Sequence, residues 1–121
     1  MVEKQGSKQY DLEERTFRFA QRVREFVKTL PKTITNIEDS RQLVNASGSV
    51  GANYIEANEA LSKKDFVMRI KICRKESKES GYWLRLVDLS GDPNPECERD
   101  ELIQEATELM KIFGSILHKS E

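Results

Sequence analysis

Few residues of this chain combine a reactive type with a productive spacing. His118, the single histidine, lies three residues from the end on the polar side of a helical segment and reads as a surface residue rather than a general base. Cys73 falls on an inner helix face and reads as a small core residue. Cys97 sits in a first helical turn, where the helix dipole favours a thiolate, but Glu96, Glu98, Asp100 and Glu101 oppose that effect. Glu56, Glu59, Glu76 and Glu79 suggest a carboxylate metal centre, yet a di-metal bundle needs Glu-x-x-His pairs and the chain has none. Gly48-Ser49-Val50-Gly51 has no strand before it and no lysine at the P-loop position. Two cysteines and one histidine leave no disulfide framework and no zinc site. The expectation is a protein without catalytic residues, metal or cofactor.

The remaining chemistry is charge. At about 100° per residue, Lys64, Lys71, Lys75 and Lys78 fall within an arc of roughly 60°, with Arg85 at its edge and Tyr82 in the same stripe. Arg15, Arg18 and Arg22 form a second ridge at spacings of three and four. Such ridges suit phosphates, and a tyrosine among them suits a stacked base. A third set is apolar but out of line with its core face: Met68, Ile72 and Trp83, and similarly Phe17. It reads either as deep burial or as a subunit interface.

Four helical segments must position these residues. The first, about 11–29, carries Leu12, Thr16, Phe19, Ala20, Val23, Phe26, Val27 and Leu30 on one face; Asp11 with Glu14 resembles a capping box, and Pro31 ends the helix. The second, about 37–60, has Asn36 as its expected N-cap and an inner stripe of Leu43, Val44, Ser47, Val50, Gly51, Tyr54, Asn58 and Leu61. Gly48 and Gly51 each cost about 1 kcal/mol relative to alanine, which close approach of a neighbouring helix would offset; a kink is the competing explanation. The third, about 63–87, opens with Ser62 as cap and Asp65 placed to return the bond, and turns Phe66, Ile70, Cys73, Ser77, Ser80 and Leu84 inward. The last, about 95–118, follows Asn94-Pro95 and has the stripe Leu102, Ile103, Ala106, Leu109, Met110, Phe113, Ile116 and Leu117. Short connections between long helices predict an all-α, antiparallel up-down-up-down four-helix bundle over residues 11–119, preceded by a polar tail at 1–10.

The chain has 121 residues, 37% hydrophobic and 34% charged, which fits one domain and argues against disorder. No apolar run approaches a membrane span, and the polar start lacks a signal-peptide core. The net charge of -1 excludes a conventional basic nucleic-acid binder only if the charges are mixed. They are not. Residues 1–33 hold eight basic and five acidic residues, 34–62 one and four, 63–87 eight and three, and 88–121 three and nine. In the predicted bundle the two basic helices are diagonal and each is flanked by acidic ones. That alternation favours the topology, and it also leaves two basic ridges that only an oligomer would bring together.

Ser40-Arg41-Gln42-Leu43, Ser49-Val50-Gly51-Ala52-Asn53-Tyr54-Ile55-Glu56-Ala57 and Lys75-Glu76-Ser77-Lys78-Glu79-Ser80-Gly81-Tyr82-Trp83-Leu84 together resemble the signature of the 23S rRNA-intervening-sequence (S23) proteins over about residues 10–118. Ala57 stands where that family usually has glycine, so the second helix should run further here. The resemblance implies a bacterial, cytoplasmic bundle that forms a ring-like homo-oligomer, a pentamer. Relatives accompany diversity-generating retroelements and are thought to bind nucleic acid and a reverse transcriptase. It supplies no catalytic residues. The matching polar positions, Ser49, Asn53 and Glu56, are expected on the outer side of the second helix as caps or bridges.

Two functions follow as expectations. The first is a non-enzymatic oligomer that binds structured RNA or DNA through Lys64, Lys71, Lys75, Lys78, Tyr82, Arg85, Arg15, Arg18 and Arg22, with Phe17, Met68, Ile72 and Trp83 at the subunit interface. The alternative is a protein-binding scaffold that uses the acidic last helix and the outer apolar patch.

Overall fold

The computed structural model describes residues 2–121, with side chains from Leu12 onward. Four helices make up the fold: α1 (Val2–Lys28), α2 (Ile34–Asn58), α3 (Lys63–Leu86) and α4 (Pro93–Ser120). α2 packs on α1 and α3, and α4 packs on α3 and α1, while among the described residues the backbones of the diagonal pairs, α1 with α3 and α2 with α4, do not approach closely. This is the all-α four-helix bundle that the periodicity predicts.

Helix starts differ from expectation in informative ways. α1 begins at Val2, so Asp11 is an interior helical residue rather than a cap; its side chain lies outside the described residues. The upstream segment contains Glu3, Lys4, Gln5, Lys8 and Gln9, good helix formers with no proline among them, and the helix propagates through it. α2 is capped by Thr33, whose side chain accepts from the Asn36 amide, and α4 by Asp92, which accepts from the Asn94 amide. Asn36 and Asn94 therefore receive the caps expected of them as donors. Only α3 starts as predicted: Ser62 accepts from the Asp65 amide at 3.0 Å.

The core is built from the predicted stripes. Phe19, Val23 and Phe26 of α1 meet Leu43 and Val50 of α2, Ile70 and Leu84 of α3, and Leu102, Leu109 and Phe113 of α4. Tyr54 reaches across to Phe113, with ring centroids 5.9 Å apart, within the range in which tilted aromatic pairs attract. The exception is Leu61, expected in the stripe but fully exposed, because α2 has already ended at Asn58. α3 turns two serines inward: Ser77 and Ser80 are wholly buried. Each hydroxyl donates back to a carbonyl one turn earlier, Cys73 and Glu76, at 2.8 Å. Their hydrogen bonds are thus satisfied within the helix, and the small side chains let α2 and α4 lie close to α3. α1 packs more lightly, least of all against α4.

At Gly51 the close approach is explicit. A Cβ there would lie 2.9 Å from Thr16 Oγ1 and 3.3 Å from Thr16 Cβ on α1, and α2 continues as an unbroken α-helix through this point. Proximity, not a kink, explains this glycine. Gly48 has more room, facing only the Arg24 guanidinium at 3.5 Å.

Candidate nucleic-acid interface

The two basic ridges meet different fates. On α1, Arg15 donates from Nε and Nη2 to the Glu105 carboxylate at 2.7 and 2.9 Å, and from Nη2 to Glu108 at 2.6 Å. Arg22 donates to Glu98 at 3.4 Å and to Glu101 at 3.2 Å. Arg18 is paired with Glu14 on its own helix at 3.0 Å. The bonds it donates to Glu105 hold the Arg15 guanidinium protonated well above its ordinary range. In turn, donation by Gln104 and then by Arg15 lowers the Glu108 carboxyl. The α1 arginines line a groove of about 340 Å³ floored by Phe19, but α4 carboxylates already engage two of them, Arg15 and Arg22. The sequence pattern that marks them as phosphate ligands marks them equally as a seam between α1 and α4.

On α3 the balance is opposite. No ion pair among the described residues involves this helix. Lys64, Lys71, Lys75, Lys78 and Arg85 are all exposed. Lys71, Lys75 and Lys78 line a groove of about 570 Å³ between α3 and α4 with Arg74, Tyr82, Met110 and a single acid, Glu79. Arg74 and Met110 were not visible as site residues. Arg74 lies at i+3 from Lys71 and beside Lys75, a spacing that does hint at the ridge. Met110 reads as core from its periodicity, and only the packing of α4 on α3 makes it a wall. Lys64 and Arg85, near the two ends of α3, do not line this groove.

Tyr82 is 54% exposed. It stands edge-on to Trp83, with centroids 5.0 Å apart and the planes at 77°. Trp83 is itself half-buried and packed on the core. Its position outside the main stripe therefore reflects the wide buried sector of α3, not a free surface. Ile72 is also half-buried, whereas Met68 and Phe17 stay open at 49% and 57% exposure. The four residues do not form one patch on the chain: Phe17 lies on α1 and the others on α3, and these helices are diagonal.

One of the polar α2 residues, Asn53, turns toward α3 rather than outward. Asn53 Oδ1 accepts from Arg69 Nη1 at 3.0 Å, and Asn53 Nδ2 donates to the Ser49 carbonyl at 2.9 Å. Ser49 and Asn53 are half-buried, and Glu56 is exposed. Asn53 is thus a bridge between helices. On the flank of α3 that adjoins α2, burial pushes the Glu76 carboxyl up and Glu79 adds to the shift. The cationic groove lies on the other flank.

Cys73 is buried and donates to the Val50 carbonyl at 3.4 Å; burial pushes its thiol up to about 12, so it is inert. Cys97 is exposed and free. Among the described residues no three His, Cys, Asp or Glu side chains gather as a metal site, and no helix is long and apolar enough to cross a membrane.

The fold and this surface define a four-helix bundle with a cationic groove along α3 and a self-neutralised seam between α1 and α4. The family profile of the 23S rRNA-intervening sequence proteins matches residues 8–115, and the chain belongs to that family. Its fold is similar to the crystal structure of a protein of unknown function from the S23 ribosomal protein family of Bacteroides thetaiotaomicron. The TM-score is 0.76 at 27% identity, covering 92% of this chain and 98% of that one. Comparison with curated protein sequences finds no match.

Proposed function

We propose that the protein is a non-enzymatic, homo-oligomeric bundle that binds structured RNA or DNA through α3. One observation carries this reading: α3 bears Lys71, Arg74, Lys75 and Lys78 along one groove, none of them in an ion pair among the described residues, while Arg15 and Arg22 of the less basic α1 are compensated by α4. Arg15 and Arg22 accordingly drop out as primary phosphate ligands. Phosphate binding releases counterions, so affinity for a labelled structured RNA must fall steeply as salt rises. Replacing Lys71, Lys75 and Lys78 together by glutamine should abolish most of that dependence. Binding that is absent, or indifferent to salt, overturns the reading.

The oligomer brings α3 ridges from several subunits to one surface, and the family resemblance makes a pentameric ring the expected form. Sedimentation at micromolar concentration tests this, and a monomer mass rules it out. Met68→Lys is the informative variant, because Met68 is exposed; Trp83 supports the core and its loss would confuse dissociation with unfolding. The alternative, a scaffold that docks a protein partner on acidic α4, loses ground. Glu98, Glu101, Glu105 and Glu108 are engaged by α1.

A further inference from the structure

We infer that the α3–α4 groove takes an unpaired stretch of nucleic acid, with one base lodged between Tyr82 and Met110 and the neighbouring phosphates on Lys71, Arg74, Lys75 and Lys78. This rests on the nucleic-acid reading of α3 and narrows it to unpaired nucleotides.

The cations alone do not distinguish a duplex from a single strand, since both present phosphates. The aromatic side chain does. In a duplex the faces of the bases are hidden in the stack, and only an unpaired nucleotide offers a face to a protein ring. Tyr82 follows Lys78 by one helical turn, about 6 Å along the axis, and Lys71 to Lys78 spans about 10 Å. Phosphate donors and ring therefore share one edge of one rigid helix. Tyr82 presents its ring at 54% exposure and is braced edge-on by Trp83 at 5.0 Å, which packs on the core. A ring held in place before binding loses little freedom on binding. Across the groove Met110 adds a polarizable apolar wall. The volume of about 570 Å³ lies within the ~300–1,000 Å³ typical of small-ligand sites. Glu79 is the one acid in the groove, so four cations leave it strongly positive.

The test compares a short labelled single strand with the blunt duplex of the same sequence, on the full chain, by fluorescence anisotropy. Four phosphate contacts to a single strand predict a loss of about 50-fold in affinity between 50 and 200 mM salt, from a slope of about -0.7 per contact. Tyr82→Ala should weaken single-strand binding about tenfold and leave duplex binding unchanged, while Tyr82→Phe, which keeps the ring, should bind like the parent. Helical circular dichroism confirms that each variant is folded. Tighter binding of the single strand with this Ala–Phe split supports the inference. Equal affinity for the duplex, or a neutral Tyr82→Ala, overturns it and leaves the phosphate-binding reading of α3 standing. Absence of salt-dependent binding to either strand form overturns both.

Discussion

A methyl group is what α2 gives up at Gly51 so that Thr16 can lie against its backbone. Thr16 is buried and its hydroxyl is committed to the Leu12 carbonyl at 2.9 Å, so it cannot turn aside for a new Cβ placed 2.9 Å away. Gly51→Ala gains about 1 kcal/mol of helix propensity but meets an overpacking cost of roughly 1–3 kcal/mol. The expected outcome is a lower midpoint in urea unfolding. The double variant Gly51→Ala, Thr16→Ala removes the obstructing hydroxyl and should recover stability relative to Gly51→Ala alone, as a coupling between touching residues. A merely flexible glycine would give additive effects. The spacing announces that some helix approaches here; the partner, Thr16, is a fact of packing and is invisible in the pattern.

At the scale of elements, the seam between α1 and α4 carries ion pairs from Arg15 and Arg22 to Glu98, Glu101, Glu105 and Glu108. Arg15 is the key ligand: its bidentate partner Glu105 is 18% exposed in its side chain, so Arg15→Ala leaves a shielded carboxylate without its donors. A loss of about 1–2 kcal/mol is expected, read by chemical denaturation, with faster amide exchange in α1 than in α3. The pH dependence has a definite sign. Glu108 titrates below its ordinary value in the folded chain, so it contributes stability above the usual carboxylate range near pH ~4.3 and that contribution is lost as pH falls through its lowered value. Stability should therefore drop on acidification below about pH 4, and Glu108→Gln should flatten this drop. An unchanged acid limb would show that the bonds Glu108 accepts from Gln104 and Arg15 add nothing to stability. The alternating charge of the four segments foretells such a seam at every flank. Among the described residues the structure forms it at one, between α1 and α4, because side-chain reach, not segment charge, decides which opposite charges meet.

For the molecule as a whole, one buried amide ties the two loops at the same end. Asn36 is 2% exposed. Its Nδ2 donates to the Pro31 carbonyl at 3.0 Å and the Asp88 carbonyl at 2.9 Å, and its Oδ1 accepts from the Asp88 amide at 2.9 Å. The α1–α2 and α3–α4 connections are thereby held together, a tie that couples the two helical hairpins. Asn36→Ala strands three backbone groups, with an expected cost of about 3 kcal/mol and a loss of cooperativity visible as a shallower thermal transition; a variant that unfolds like the parent would refute the tie. From sequence Asn36 is an N-cap, since asparagine before an apolar run is a local signal, whereas its real partner is 52 residues away. The same division runs through the protein. Helix number, inner faces and topology follow from local periodicity and short connections, which a chain carries on its own. Which ridge is spent on an ion-pair seam and which is left open along a groove was decided only by tertiary structure, because helical spacing aligns cations on either helix alike and only folding brings carboxylates within reach of one set.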